Sequence, residues 1–182
     1  MTAVQEGDVA RLGVLFERHH RALFNFFLRL TGERNASEDL VSDVFLRILK
    51  YRATYQPGTQ FRTWMYHLAR NAHIDRFKAR RKEFLMDPDD VREPASQAPP
   101  PGEALERREQ LALLKAAMAR LPEEKREIIA LCRFSGLKYE EIARMLGCEV
   151  GALKVRMHRA VRALRDTYFE LTGEQSSCDA NT

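Results

Sequence analysis

The stretch YEEIARMLGCEVGALKVRMHRAVRALR, residues 139–165, carries the clearest structural pattern of the chain. Apolar residues recur at helical spacing on both sides of Gly147, which predicts a helix, a tight turn and a second helix. We expect Ile142 and Leu146 to be buried in the first helix, where the small Ala143 lets the second helix cross closely. The second helix is expected to bury Leu153, Met157, either Ala160 or Val161, and Leu164.

The second of these helices is also cationic, with no acidic residue between positions 150 and 165. A two-helix corner that presents a cationic second helix is typical of docking in the major groove of DNA. The alternative is an ordinary basic surface helix packed on a hairpin. The cationic face comprises Lys154, Arg156, His158, Arg159, Arg162 and Arg165.

Lys138, directly before the first helix, stands where a serine or threonine would cap the free backbone N–H groups. The absence of such a cap costs about 1 kcal/mol, and a lysine at this point also opposes the helix dipole. We therefore expect the Lys138 side chain to reach a DNA phosphate.

A second cationic segment, FRTWMYHLARNAHIDRFKARRK at 61–82, carries seven lysines and arginines and one aspartate. It also holds Trp64, the only tryptophan of the chain, and three further aromatic rings. A solvated surface explains these charges but not the rings, and a buried face, with Trp64 in the core, explains the rings but not the charges. The buried stripe of this helix is expected to consist of Phe61, Met65, Leu68 and Ala72.

The rest of the chain predicts further helices and no convincing strand, so the expected fold class is all-α. Ser37 is expected to cap the helix of NASEDLVSDVF, with Glu38 and Asp39 in its first turn. YQPGTQ at 55–60 predicts a turn, LERREQLALLKAAMARL predicts a helix, and Pro122 is expected in the first turn of the next helix. The apolar stripes are Val9, Leu12, Leu15 and Phe16; Leu23, Phe26, Phe27 and Leu30; and Leu40, Val44 and Ile48 with Val41, Phe45 and Leu49.

Residues 83–106 separate two helical modules and hold five of the seven prolines. Because few large apolar residues accompany them, we expect a flexible linker without a core. Positions 83–110 hold eight acidic residues and three arginines, so an acidic segment follows the basic one directly.

The composition limits the classes of protein that fit. The 182 residues suffice for one domain or two small ones, and a net charge of +4 is a weak sign of polyanion binding. No apolar stretch is long enough for a bilayer and no signal pattern begins the chain, so a cytoplasmic location without membrane insertion is expected. Cys132 and Cys148 are expected in the core and Cys178 as a free thiol, and none has the spacing of a zinc site.

The sequence does not predict an enzyme. His19 and His20 are adjacent and point about 100° apart on a helix, and the aspartates of DPDD at 87–90 lie in the linker. No glycine-rich phosphate loop, metal-spaced cluster or nucleophile motif is present. We expect no cofactor, no metal and no small-molecule substrate.

In their order along the chain, these motifs resemble those of the extracytoplasmic-function sigma factors of bacterial RNA polymerase, over about residues 8–170. ASEDLVSDVFLRILKY resembles the core-binding helix, and 61–82 resembles the helix that melts the promoter and reads the −10 element. LPEEKREIIAL and 139–165 resemble the −35-reading domain. The resemblance implies a region 2-like domain at 8–82, a linker at 83–106, a region 4-like domain at 107–171 and a flexible tail at 172–182.

The resemblance also implies roles for single residues. The loop 52–60 would receive an unstacked base of the −10 element. Core polymerase would be bound by Asp39, Ser42, Asp43 and Phe45, with an ordinary charged helix surface as the alternative. The −10 element would be bound and melted by Arg62, Trp64, His67, Arg70, Asn71, Arg76, Lys78, Arg80 and Arg81. The −35 element would be bound by Lys138, Gly151, Lys154, Val155, Arg156, His158, Arg159 and Arg162.

The implied partners are core RNA polymerase, promoter DNA and an anti-sigma factor. The acidic linker would run through the nucleic-acid channel of the polymerase, with a plain solvated tether as the alternative. Ser42 replaces the family's usual glutamine, and Ala152 and Val155 replace its common threonine and serine, so the −35 sequence does not follow from these residues. The competing function is a conventional helix-turn-helix repressor or activator that binds duplex DNA without polymerase.

Overall fold

The structure, a computed structural model, describes residues 1–86 and 105–173, with side chains described for 1–81 and 108–173. The described residues fold into two compact units that contain helices and no strand, which confirms the predicted all-α class. Most of the predicted linker lies outside the described residues, as does the tail beyond position 173, including Cys178. The helices are α1 Thr2–Gln5, α2 Arg11–Thr31, α3 Arg34–Lys50, α4 Phe61–Met86, α5 Leu105–Arg120, α6 Glu123–Phe134, α7 Tyr139–Leu146 and α8 Val150–Thr172, with a 3-10 turn at Arg52–Thr54.

The core of the first unit lies between α2, α3 and α4. Its α2 and α3 residues are those predicted from the apolar spacing: each helix turns one stripe inward, and complete burial of such a side chain contributes about 1.5–3 kcal/mol. Leu49 alone among them is only half-buried. The buried α2 and α3 side chains are Leu23, Phe26, Phe27, Leu30, Leu40, Val41, Val44, Phe45 and Ile48.

The first α2 stripe, predicted around Val9 and Phe16, does not join this core. Val9 lies just before α2 and is 45% exposed, Phe16 is 38% exposed, and Leu12 and Leu15 are half-buried. No residue of α2 before Leu23 is buried, so the contribution of α2 to the core begins at Leu23. The apolar spacing correctly predicted the helix, but it wrongly predicted that this stripe is buried.

The predicted cap at Ser37 is wrong. Helix α3 begins three residues earlier, at Arg34, and Ser37 is fully buried inside it. Its hydroxyl donates to the Glu33 carbonyl oxygen at 2.6 Å and lies 3.0 Å from the hydroxyl of Thr31. Gly32 ends α2 in the left-handed conformation at φ 72°, so the chain turns at once and α3 starts early. Ser37 therefore ties the α2–α3 turn together, and Asp39 does not lie in the first helical turn.

The buried face of α4 is wider than predicted. Met65 and Ala72 are buried as expected, whereas Phe61 and Leu68 are only half-buried. The core-facing set also includes Tyr66, Ala69 and His73. The alanines on this face bring α4 close to α3, against which it packs.

In the second unit, α5, α6 and α7 all pack against α8. Pro122 directly precedes α6, one position before the predicted one, and its carbonyl oxygen accepts from two following N–H groups. Ile142 and Ala143 of α7 are buried and Leu146 is half-buried, and Gly147 ends the helix at φ 63°. Helix α8 buries Leu153, Met157 and Ala160, leaving Val161 40% exposed and Leu164 half-buried.

Cys132 and Cys148 are half-buried free thiols rather than fully buried core residues, and burial raises the pKa of Cys132. Within 1–86 and 105–173, no group of histidine, cysteine and acidic residues is arranged to hold a metal ion. No helix in this part of the chain has the length and apolar character to cross a membrane.

Candidate nucleic-acid and partner interfaces

The loop before α4 contains the predicted turn. After the 3-10 turn Arg52–Thr54, the Thr59 N–H donates to the Gln56 carbonyl oxygen at 3.1 Å, and Gly58 has φ 94°. Any residue other than glycine would be strained at that φ. The turn opens directly onto the first residues of α4.

Trp64 is neither fully exposed nor part of the core. Its ring meets Tyr55 edge-on at a centroid distance of 5.4 Å and lies 6.2 Å from Phe61. Tyr55 is itself buried, and its hydroxyl donates to the Thr59 carbonyl oxygen at 2.7 Å. Trp64 is therefore held by two neighbouring rings and remains partly exposed, and a base-stacking ring needs such exposure.

His67 and Asn71 follow Trp64 by one and two helical turns, and both are exposed. Spacings of three and four residues place the three side chains on one face of α4. Partial burial, together with the nearby charge of Arg70, lowers the pKa of His67. The neutral imidazole is suited to exchange hydrogen bonds with a base rather than to act as a cation.

The cations of α4 surround this row, but several already have acidic partners. Arg76 donates to Asp39 of α3 at 3.3 Å, and Arg80 donates to Glu33, the residue directly before α3, at 2.8 Å. Arg70 is half-buried. The remaining predicted cations on this helix are all exposed: Arg62, Lys78 and Arg81.

The predicted core-binding residues on α3 divide into two groups. Asp39 and Ser42 are exposed, and Asp43 is part-exposed and accepts from Arg47 at 3.0 Å. Phe45 points the other way: it is buried and meets the ring of Phe16 at 4.9 Å. Phe45 therefore packs beneath the exposed side of α3 and does not form part of that surface.

Arg47 links α3 to α4, since it also donates to Asp75 at 2.8 Å. Burial alone would lower the pKa of Arg47, but its hydrogen bonds with Asp75 and Asp43 outweigh burial and raise it. The acidic face of α3 is thus fixed by an arginine that sequence reasoning did not single out. The signal was present in the i, i+4 spacing of Asp43 and Arg47.

Leu46 is a second residue that sequence reasoning missed. It is 66% exposed on α3, three residues after Asp43 and four after Ser42, among polar side chains. An apolar side chain bordered by charges has the composition of a protein-interface core. Its position outside the buried stripe was the available signal.

The exposed face of α8 carries most of the predicted −35 residues. Arg156 differs, because it is half-buried and donates to Glu124 of α6 at 2.5 Å. Val155 is 51% exposed, which leaves its methyl groups accessible. The other exposed members are Gly151, Lys154, His158, Arg159 and Arg162.

Lys138 occupies the N-cap position of α7, as predicted, and is exposed. The Glu141 carboxylate accepts from the Lys138 backbone N–H at 2.9 Å, which is one half of a capping box. A lysine side chain has no acceptor, so the other half does not form.

Two helical units, each with an exposed cationic helix, and a helix-turn-helix in the second define a two-domain DNA-binding protein. Residues 15–83 match Sigma-70 region 2, and residues 111–164 match Sigma-70, region 4. The chain belongs to the extracytoplasmic-function (ECF) sigma factors of RNA polymerase.

Several curated relatives share most of their length with this chain. It is 34% identical over 170 residues to the ECF sigma factor SigL of Mycobacterium tuberculosis, covering 90% of this chain and 92% of that protein. It is 32% identical over 158 residues to CarQ of Myxococcus xanthus, covering 86% and 88%. Against SigE of Mycolicibacterium smegmatis, 34% identity over 154 residues covers 84% of this chain and 59% of the relative.

Solved structures agree with the fold. The sigma factor RpoE of Bartonella quintana, in complex with the anti-sigma factor NepR, matches with a TM-score of 0.73 at 25% identity over 85% of this chain and 94% of that one. CnrH, in complex with the cytosolic domain of CnrY, matches with a TM-score of 0.69 at 22% identity over 96% of each chain.

Family membership confirms the predicted function. The protein is a non-catalytic subunit that binds core RNA polymerase and promoter DNA and directs promoter-specific transcription initiation. A conventional repressor acting without polymerase is thereby set aside.

Proposed function

We propose that the exposed side of α3 is the surface that binds core polymerase, with Asp39, Ser42, Asp43 and Leu46 in contact. Leu46 would supply the apolar centre and the two aspartates the charged rim, the usual distribution in a protein interface. Phe45 would act indirectly, by holding α3 on Phe16. Ser42 is exposed where the family usually has glutamine, so it offers a shorter polar contact.

We further propose that the turn at 55–60 and α4 open and read the −10 element. The row of Trp64, His67 and Asn71 beside that turn is the observation that carries this assignment. Stacking on Trp64, about 1–3 kcal/mol per base, would offset much of the cost of unstacking a base. Phosphates would be held by the cations Arg62, Arg70, Arg76, Lys78, Arg80 and Arg81.

For the −35 element we propose docking of α8 in the major groove. Lys154, Arg159 and Arg162 would contact phosphates or base edges, and Lys138 a phosphate at the start of α7. Val155 would contact a thymine methyl group. Arg156 would position α8 on α6 through Glu124 rather than contact DNA. Gly151 and His158 complete the exposed face.

The domain limits 8–82 and 107–171 remain predictions, as do the linker at 83–106 and the tail from 172. We propose that the acidic linker follows the nucleic-acid channel of polymerase. We also propose an anti-sigma partner, because the RpoE relative of known structure is in complex with one. Since polymerase and promoters are cytoplasmic, we place the protein's action there.

A library of promoters randomised at both elements tests these assignments in run-off transcription with purified core polymerase. Asn71→Ala is expected to relax base preference at −10 only, and Arg159→Ala to weaken selection at −35 only. Val14→Ala, an exposed apolar residue outside the proposed surfaces, serves as control. If Asn71→Ala and Arg159→Ala changed base preference at the same element, the assignment of −10 reading to α4 and −35 reading to α8 would be wrong.

A further inference from the structure

The short helix α1 lies against the loop that precedes α4. It contacts α2 and the 3-10 turn Arg52–Thr54, and Val4 is fully buried there. Packing by Val4 helps to hold α1 in place. It does not explain the polar contacts made by the next residue.

Gln5 holds the backbone of that loop at two points. Its side-chain amide nitrogen donates to the Tyr55 carbonyl oxygen at 3.0 Å and to the Ala53 carbonyl oxygen at 3.3 Å. An amide group has two N–H donors, so both contacts can form at once. They lie where the 3-10 turn ends and the turn at 55–60 begins.

Tyr55 connects this point to the proposed base-reading residues. It is 8% exposed, its hydroxyl donates to the Thr59 carbonyl oxygen at 2.7 Å, and its ring meets Trp64 edge-on at 5.4 Å. The Thr59 hydroxyl in turn donates to the Gln56 carbonyl oxygen at 2.7 Å. A shift of the backbone at Tyr55 would therefore move both the turn and the tryptophan ring.

We propose that Gln5 is a positioning residue for promoter opening: its amide fixes the backbone at Ala53 and Tyr55 and so presets the turn at 55–60 and the Trp64 ring for a flipped base. Gln5 acts through Tyr55. A loop held in its binding conformation avoids the entropy cost of ordering its backbone on binding. The proposal rests on the proposed −10 role of this loop.

The competing explanation is that Gln5 only adds stability to the first unit. Two substitutions separate the possibilities. Gln5→Met keeps the length of the side chain and removes both donors without adding charge. Val4→Ala keeps the amide but removes buried methyl groups from the same helix, and serves as the packing control.

The experiment uses holoenzyme assembled from the full chain and core polymerase. Binding of single-stranded −10 oligonucleotides, with each base substituted in turn, reports base preference, and thermal unfolding of the free chain reports stability. Gln5→Met is expected to weaken binding of the preferred oligonucleotide about three- to tenfold and to flatten base preference. Val4→Ala is expected to lower the unfolding temperature while leaving base preference unchanged. Gln5→Glu should bind more weakly still, because its carboxylate repels the two carbonyl oxygens.

Trp64→Ala distinguishes the failure of this inference from that of the proposed function. If Trp64→Ala flattens base preference and Gln5→Met does not, Gln5 has no positioning role and the −10 assignment stands. If neither variant changes base preference, the −10 assignment itself fails. If Val4→Ala flattens base preference as much as Gln5→Met does, the packing of α1, and not the Gln5 amide, positions the loop.

Discussion

Arg76 on α4 donates a hydrogen bond to Asp39 on α3, with 3.3 Å between the guanidinium nitrogen and the carboxylate oxygen. The pair joins a residue proposed to hold promoter phosphates to one proposed to bind core polymerase. Arg80 of α4 and Glu33, the residue directly before α3, form a second pair at 2.8 Å. In the free protein, part of the proposed DNA-binding charge is therefore neutralised by the neighbouring helix.

Asp39→Asn is expected to weaken binding to core polymerase and to release Arg76. Because both side chains of the pair are largely exposed, the free energy of unfolding should change by less than about 0.5 kcal/mol. One released cation should steepen the salt dependence of single-stranded DNA binding by the free chain by about 0.7 in log–log slope. Titrations at several salt concentrations measure this. Glu38→Gln, whose partner is Arg34 of the same helix, is the control, and equal slopes for the two variants would contradict the prediction.

Lys138→Ser separates the two consequences of a lysine at an N-cap. The serine hydroxyl can accept a backbone N–H and complete the capping box with Glu141, which is expected to raise stability by about 1 kcal/mol. Loss of one phosphate contact should reduce the salt slope of duplex binding by about 0.9. Lys115→Ser, on the exposed side of α5, controls for loss of charge alone. An unchanged slope in a stabilised Lys138→Ser variant would exclude the phosphate contact.

Tyr66→Phe is expected to alter the response to alkaline pH. Tyr66 is buried, and among the described residues its hydroxyl has no hydrogen-bond partner; burial raises its pKa to about 12, against the opposing charges of Arg62 and Arg29. The folded state therefore retains this proton above pH 10, where the unfolded chain loses it, and stability falls as pH rises from about 10 to 12. Between pH 8 and pH 11 the wild type should lose about 1 kcal/mol more than the variant.

Denaturant unfolding followed by fluorescence measures this difference, since Trp64 is the only tryptophan and reports on the first unit. At neutral pH the variant should be at least as stable as the wild type, because a buried hydroxyl without a partner costs about 1–3 kcal/mol. Parallel loss of stability in the two proteins above pH 10 would show that Tyr66 is not the titrating group.

The spacing of apolar residues predicted most of the fold, because the residues that repeat every three or four positions are those that meet another helix. It located the core of α2 and α3, and it left open Ala160 or Val161, which the structure decides for Ala160. It did not reveal what faces each stripe. Phe16 belongs to a regular apolar stripe but is exposed. Phe45, which was expected on the surface that binds polymerase, is buried.

Features that depend on contacts between distant segments were not predictable. Ser37 has the residue type of a cap, but the hydroxyl of Thr31 and the left-handed Gly32 set the start of α3. Gln5 and Tyr55 are 50 positions apart, and no local pattern connects them. The cations of α4 were evident from the sequence, whereas the pairing of Arg76 with Asp39 on α3 and of Arg80 with Glu33 just before it became visible only once the helices were packed.

The central claim is that the first unit opens the promoter while the second holds duplex DNA. Transcription by reconstituted holoenzyme, compared on a duplex promoter and on the same promoter pre-melted across −10, tests it most directly. Trp64→Ala should initiate about tenfold more slowly on the duplex and recover most of that loss on the pre-melted template, since stacking no longer has to offset the cost of unstacking a base there. Arg159→Ala should stay impaired on both. Equal impairment of Trp64→Ala on the two templates, or rescue of Arg159→Ala by pre-melting, would contradict the account.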